Sequence, residues 1–377
     1  MIYNKFLDVS FYFPTLPPNW PANNFWVHFI VFTVLILAYV LLMVMGFIWL
    51  ERRAMARMQA RLGPNRVGPF GLLQPVADAI KVLIKEDIIP ALADKPVFWL
   101  APVIAFTPVL MIFTVIPFSD GASLVDLNIG VLYIVAISSV TSLGIFMAGW
   151  GSNNKYSLLG AMRDVASVVS YEIPMIISLA SIVLVTGSMS LNQIVLAQNI
   201  PFILLQPIAF LVFFMAGSAE INRAPFDLLE ADSEIVAGFH TEYSGMKFAL
   251  FYLVEYAEAL ALSSLVTTFF LSGWRGPILP PWLWFLIKVT AVFFFIVWIR
   301  TTVPRIRIDQ LMAFAWKFLL PVSLINLVIT ALEVLFLPDV SPWITVVINI
   351  GILVILIVLW SKLFKTGWGK VEIRPLR

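Results

Sequence analysis

The sequence predicts an all-α integral membrane protein of about nine transmembrane helices, with long cytoplasmic loops and an amphipathic helix on the membrane surface. Three observations carry this expectation. Hydrophobic residues make up 61% of the chain and charged residues 12%, whereas a soluble domain carries about 45–50% and about 25%. Apolar stretches long enough to span ~30 Å of hydrocarbon at ~1.5 Å per residue recur along the whole chain. Between them, lysine and arginine fall in alternate connections.

The stretches run over 25–50, 97–116, 130–149, 168–186, 202–218, 248–271, 282–299, 317–336 and 343–361. The first follows a polar, proline-rich segment and has no small-residue cleavage site behind it, so it reads as a retained helix. Basic residues crowd the connections at 51–96, 150–167, 219–247 and 300–316 and the tail from Lys362. The connections at 117–129, 187–201 and 337–342 hold none, and 272–281 holds only Arg275. By the positive-inside rule the four basic connections and the C-terminus face the cytoplasm and the N-terminus lies outside, which requires an odd number of spans. The reading is a single polytopic membrane domain over 1–377. Within 51–96, Leu72, Val76, Ile80 and Leu83 alternate with Asp78, Lys81 and Lys85 at helical spacing, the pattern of a helix lying along the membrane surface.

Composition excludes several chemistries. Cysteine is absent, so this chain alone builds no iron–sulfur cluster, thiolate zinc site or disulfide. His28 and His240, the two histidines, fall on opposite sides of the predicted topology, which argues against a bis-histidine haem. No metal constellation, nucleophile motif or phosphate loop stands out; Gly63–Pro69 is turn chemistry.

Two features do point to function. The connection 219–247 holds Glu220, Asp227, Glu230, Asp232, Glu234 and Glu242 against Arg223, interleaved with Phe226, Leu228, Leu229, Ile235, Val236 and Phe239. Packed carboxylates raise one another's proton affinity, and groups tuned so exchange protons near neutral pH. Ionisable residues also sit inside spans: Glu172 near the start of the fourth, Glu255 and Glu258 three apart on one face of the sixth, and Lys288 in the seventh. A charge at membrane depth is expensive and marks a proton or ion route. The bland alternative is a structural ion pair, for instance Lys288 with a glutamate of the sixth span.

Five stretches give a family resemblance. They are Glu51-Arg52-Arg53; Arg61-Leu62-Gly63-Pro64-Asn65-Arg66-Val67-Gly68-Pro69 leading into Gly71–Lys81 and Lys85-Glu86-Asp87; Ser170-Tyr171-Glu172; Ala219-Glu220-Ile221-Asn222-Arg223-Ala224-Pro225-Phe226-Asp227-Leu228 running on to Gly238–Tyr243; and Trp298-Ile299-Arg300-Thr301 before Pro304-Arg305 and Asp309-Gln310-Leu311. Together they resemble the H-subunit family of proton-translocating NADH:quinone oxidoreductase, respiratory complex I.

The resemblance implies a component of the bacterial inner membrane that has no redox centre of its own. It would shape the membrane side of a quinone chamber against peripheral subunits that carry the last iron–sulfur cluster. Flavin mononucleotide and the iron–sulfur clusters are expected in partner subunits, quinone is the substrate, and small and antiporter-like membrane subunits are further partners. Proton coupling is assigned to Glu172, Glu220, Asp227, Glu230, Glu234, Glu242 and Glu255. The quinone chamber is assigned to Arg52, Gln59, Arg61, Asp78, Arg223, Arg300 and Arg305. No metal is expected. Three departures stand out: Ser138-Ser139 where some members carry a glutamate, a lower weight on Asp232 and Glu258, and a ninth helix with a basic tail beyond the shorter members. Two alternatives stay open. One is the homologous membrane component of a ferredoxin- or deazaflavin-dependent quinone reductase or membrane-bound hydrogenase. The other is a secondary ion transporter, against which the lack of repeated halves counts.

Overall fold

A computed structural model of the chain describes residues 25–120, 123–223, 225–227, 236–336 and 341–364. Helices account for its regular structure, with no strand among the described residues. They are α1 (Phe25–Met58), α2 (Gln74–Ile84), α3 (Lys95–Ile112), α4 (Gly130–Gly151), α5 (Lys155–Thr186), α6 (Leu191–Ala197), α7 (Phe202–Leu205), α8 (Pro207–Glu220), α9 (Gly245–Phe270), α10 (Pro281–Thr302), α11 (Ile308–Phe314), α12 (Leu320–Phe336) and α13 (Pro342–Phe364). A π-helical turn over Ala315–Leu319 joins α11 to α12 without a break. Among the described residues, 7 helices are long and apolar enough to cross a membrane, with Ile308–Phe336 counted as one. Two shorter apolar stretches, Pro207–Glu220 and Pro342–Val358, accompany them. The chain is an all-α, multi-pass membrane protein.

Charged residues at helix ends hid helix from hydropathy. The connection expected at 150–167 shrinks to Ser152–Asn154, because α5 begins at Lys155. Its first turns carry Arg163 and Asp164 yet keep a buried face through Ser157, Gly160, Ala161 and Asp164. Asn154 caps that start, its side chain accepting from the Tyr156 N–H. In the same way α1 continues to Met58 and α10 to Thr302, and α11 starts at Ile308, so the connection expected at 300–316 is only Val303–Arg307. The amphipathic segment is helical as α2. Its Val76, Ile80 and Leu83 remain exposed, as befits a helix with its apolar face toward lipid.

Hydrogen bonds sort the connections into two ends of the bundle. At one end Asp94 N–H donates to the Gly151 carbonyl, Asn153 to Leu92, and Ile306 N–H to Pro225. At the other end Ser190 donates to Asp126, Asn192 to Ser123, and Arg275 to the Leu196 and Gln198 carbonyls. The connections predicted to share a side by their charge do meet.

The most buried helix is α9, which packs against α1, α2, α3, α6, α8 and α10. Close approach elsewhere depends on small residues. A side chain at Gly144 would sit 2.6 Å from the Ala105 backbone, so α3 and α4 touch along their main chains. The fifth apolar stretch is broken. Pro207 disfavours the helical region for the residue before it, and Gln206 adopts φ −128, ψ 61 between α7 and α8. Irregular backbone at membrane depth survives only when buried in protein. Gln206 is fully buried, and its Oε1 accepts from Asn326 Nδ2 at 3.4 Å and Thr330 Oγ1 at 3.2 Å. Asn349 donates to the freed Leu205 carbonyl at 2.8 Å.

Candidate functional site: a buried ion cluster and a line of acids

At the basic end four charged side chains from three helices and a loop converge. Glu51, near the end of α1, is fully buried. Arg223, just past α8, donates from Nη1 to Glu51 Oε2 at 2.5 Å, and Arg300 of α10 donates to the other oxygen. Arg223 Nε lies 3.2 Å from Glu255 Oε1 of α9, without hydrogen-bond alignment, and its Nη2 has no partner. The guanidinium rests 4.2 Å from the Tyr256 ring centre and 5.9 Å from that of Phe293. Burial alone would lower the proton affinity of Arg223. The carboxylates of Glu51 and Glu255 outweigh it and hold the guanidinium above its usual range. An arginine so placed is a fixed positive charge, never a proton donor.

From this cluster two cavities lead inward. The first, of about 60 Å³, is lined by Glu255, Glu258, Asn222, His240 and Tyr252. The second, of about 50 Å³, is lined by Glu220, Glu258, Ser138 and Thr141 among apolar residues. Glu258 and Ile221 form the wall between them. Each cavity has room for ordered water. Beyond Glu220 lies Glu172, close enough to repel it, with an Oε1 that is buried and unpaired. Asp164 of α5 faces Glu258 from the side. Its Oδ1 accepts from Asn222 Nδ2 at 2.7 Å, while its Oδ2 has no partner. Asn222 reaches it from a left-handed backbone (φ 56). The acids therefore run Glu255, Glu258, Glu220, Glu172, from the cluster toward the middle of the bundle. Glu172 does not open its helix. It lies 17 residues past Lys155, roughly 26 Å along α5.

On the other side of the first cavity lies an apolar groove between α1, α2 and α9, of about 430 Å³. Leu41, Val44, Ile48, Val82, Leu83 and Leu253 line it, and Arg52 and Asp78 stand at its polar end. Arg52 Nη1 donates to Asp78 Oδ2 at 2.5 Å. Phe248 and Tyr252 line both groove and cavity and form the partition between them. The Tyr252 hydroxyl donates to that of Tyr256 at 3.2 Å.

The predicted site residues thus divide. Arg223, Arg300 and Glu255 form one cluster; Glu220 and Glu172 join the acid line; Arg52 and Asp78 pair at the groove. Asp227 pairs with Arg305 at 2.9 Å, a proton-coupling candidate bound to a quinone-chamber candidate. Gln59 and Arg61 pair with each other on the exposed surface. Glu242 stands apart, its Oε1 accepting from Asn154 Nδ2 at 2.7 Å. Glu230 and Glu234 lie outside the described residues. Lys288 takes no glutamate. It donates to the carbonyls of Leu271, Gly273 and Arg275 at 2.7–2.9 Å, capping the chain where α9 ends.

Three residues escaped the sequence reading. Glu51 stood in a family stretch with no role assigned. Its signal was an acid at the inner end of an apolar helix. Glu258 was discounted, although its spacing from Glu255 already set both on one face. Asp164 was lost because its segment passed for a connection.

Taken as a class, this is a polytopic helical membrane protein that buries a compensated charge cluster continuous with a line of acids. A family model described as NADH dehydrogenase matches residues 31–331. Among similar proteins, the H subunit of NADH-quinone oxidoreductase from Dehalococcoides mccartyi strain CBDB1 is 62% identical over 352 residues, covering 93% of this chain and 100% of that one. The protein of the same name from Bacillus thuringiensis strain Al Hakam is 52% identical over 322 residues, covering 84% of this chain and 96% of its own. The chain belongs to the NADH dehydrogenase family, the family its five sequence stretches resemble.

Proposed function

We propose that this chain is the membrane subunit of a proton-translocating NADH:quinone oxidoreductase, where it forms part of the quinone chamber and couples quinone reduction to proton movement. One observation carries the reading: two side chains, Phe248 and Tyr252, separate a lipid-depth apolar groove from a cavity of acids. The groove suits an isoprenoid tail, and the Arg52–Asp78 pair marks its polar mouth. A charge change at that mouth reaches Glu255 and Glu51 through Tyr252 and Tyr256, and from there the order of proton release is Glu258, Glu220, Glu172. Electrons come from partner subunits that hold the flavin and iron–sulfur clusters; this chain contributes fixed charges, titratable carboxylates and a dry groove. The basic end faces the cytoplasm of a bacterial inner membrane, with the N-terminus outside, as the loop charges support.

The test is NADH:quinone turnover with proton pumping in reconstituted vesicles, beside an assembly control. Glu220→Gln and Glu255→Gln keep shape and lose titration, so both are expected to assemble and to lower coupled turnover about tenfold or more. Wild-type pumping by both would make these acids structural. Orientation is checked with single cysteines in this cysteine-free chain: a cysteine in the 219–247 connection labelled readily from outside intact cells would reverse it.

A further inference from the structure

A second pocket lies away from the acids, on the opposite flank of α1. It has a volume of about 380 Å³ between the last turns of α1 and the middle of α10. Arg53 and Arg57 line it, four residues apart and so on one helix face, together with Trp49, Leu50 and Phe294. No acid lines it, and neither arginine pairs with a carboxylate among the described residues.

The pocket is built, not accidental. The Arg53 guanidinium lies 5.4 Å from the Trp49 ring centre and 5.3 Å from that of Phe70. Its Nη1 donates to the Phe70 carbonyl at 2.8 Å, and Trp49 Nε1 donates to the same oxygen at 3.2 Å. Two rings and a carbonyl thus fix the plane of the guanidinium and leave its remaining N–H groups free to donate. Arg57 stands one turn further out, exposed. On the facing helix Phe294 and Trp298 are 46% and 51% exposed, one turn apart. Tryptophans and arginines at the end of apolar helices mark the headgroup level of a bilayer. Cationic above, apolar below and open to the side, the pocket matches one chemistry: a phosphate with a hydrocarbon chain attached.

We propose that this pocket binds an anionic glycerophospholipid, its phosphate held between Arg53 and Arg57 and one acyl chain lying over Leu50 and Phe294. A guanidinium fork suits phosphate oxygens better than a point charge does, and basic pockets between helices at the basic membrane face take anionic headgroups. The site lies outside the groove and the acid line, so the proposal stands independently of the function proposed above.

The test uses the purified complex, delipidated and reloaded in detergent with equal phosphatidylglycerol and phosphatidylcholine, with bound lipid counted by native mass spectrometry. Wild type is expected to retain at least one phosphatidylglycerol that Arg53→Gln/Arg57→Gln lacks, with affinity falling about fivefold per arginine removed. Equal phosphatidylglycerol counts in wild type and variant would overturn the proposal. So would indifferent retention of phosphatidylcholine, which would leave only an acyl slot. Millimolar inorganic phosphate is expected to leave the lipid in place; phosphate that binds and displaces it would make this a free-anion site and overturn the lipid assignment. If the double variant fails to assemble, Arg57→Gln decides, because that exposed side chain holds no other group among the described residues. An unchanged phosphatidylglycerol affinity in it would sink the idea.

Discussion

The two ends of this bundle both bury polar groups, and they do it in opposite ways. At the end away from the basic loops, the groups freed by the helix break and by the end of α9 are met locally by neutral partners or carbonyls. Among the described residues, the buried side-chain atoms left unpaired there are two indole N–H groups, of Trp274 and Trp284, and one oxygen of Glu333. Gln206 is held by Asn326 and Thr330, Asn349 covers the carbonyl freed by the helix break, and Lys288 spends its three protons on three backbone oxygens. At the basic end, buried groups are ionised or titratable, and several keep unused capacity: Arg223 Nη2, Asp164 Oδ2, Glu172 Oε1 and Asp227 Oδ1 have no partner. A closed network fixes backbone. An incompletely satisfied one, beside cavities large enough for water, has alternative arrangements of similar energy. The difference separates the scaffold from the working part.

Mutations break this comparison in order of size. The largest effect belongs to Glu51→Gln, which removes one charge from a fully buried pair and leaves Arg223 undercompensated. Breaking such a pair costs about 3–5 kcal/mol, so native electrophoresis of membranes is expected to show assembled complex falling below a tenth of wild type. Normal assembly would mean that Glu255 alone compensates both Arg223 and Arg300. Lys288→Met comes next. One fully buried unpaired carbonyl costs about 1–3 kcal/mol. Here the site is only partly buried, so water takes over part of the bonding, and the loss is expected as faster thermal inactivation with unchanged turnover per assembled complex. A tenfold loss of turnover would place Lys288 in the working part after all.

Glu258→Gln sharpens the boundary from the other side. Sequence weighting makes it milder than Glu220→Gln or Glu255→Gln. Its position as the wall shared by both cavities makes it their equal, so coupled turnover is expected to fall about tenfold with assembly intact, equivalent to about 1.4 kcal/mol. Near-normal pumping would show that protons bypass the wall. The smallest change is expected from Glu242→Gln. Tied to Asn154 and clear of the acid line, it should leave pumping within twofold in the same vesicle assay, and a larger loss would bring the far end of that loop back into the route.

Much of the scaffold was legible in the sequence, because apolar runs and loop charge report directly on the solvent a segment meets. What hydropathy could not see was helix that carries charge. Lys155, Arg163 and Asp164 disguised the first turns of α5 as a loop, which moved Glu172 from a helix start to mid-helix and hid Asp164 altogether. The break at Gln206 was readable only from Pro207, since the flanking residues are uniformly apolar. Arg223, Arg300 and Glu255 were legible singly, through motif and depth. Their convergence on Glu51 was not, because the partners come from α1, α9, α10 and the end of α8, up to 249 positions apart. The pairing of Asp227 with Arg305 was hidden for the same reason.

With Glu51 and Glu255 ionised, their two negatives and the two positives of Arg223 and Arg300 sum to zero. A neutral quartet has no net monopole, so its field falls off faster with distance than that of a single charge. Neutralise one carboxylate, or bring an anion to the groove behind Tyr252, and a whole unit of charge is left uncancelled. At ~10 Å and an effective dielectric constant of ~20, that unit acts on a neighbouring acid with about 1.7 kcal/mol, a little more than one pKa unit. The arginines cannot discharge it, having no proton they can lose. Relief can come only from carboxylates giving up or taking on a proton, and the nearest ones in line are Glu258 and Glu220.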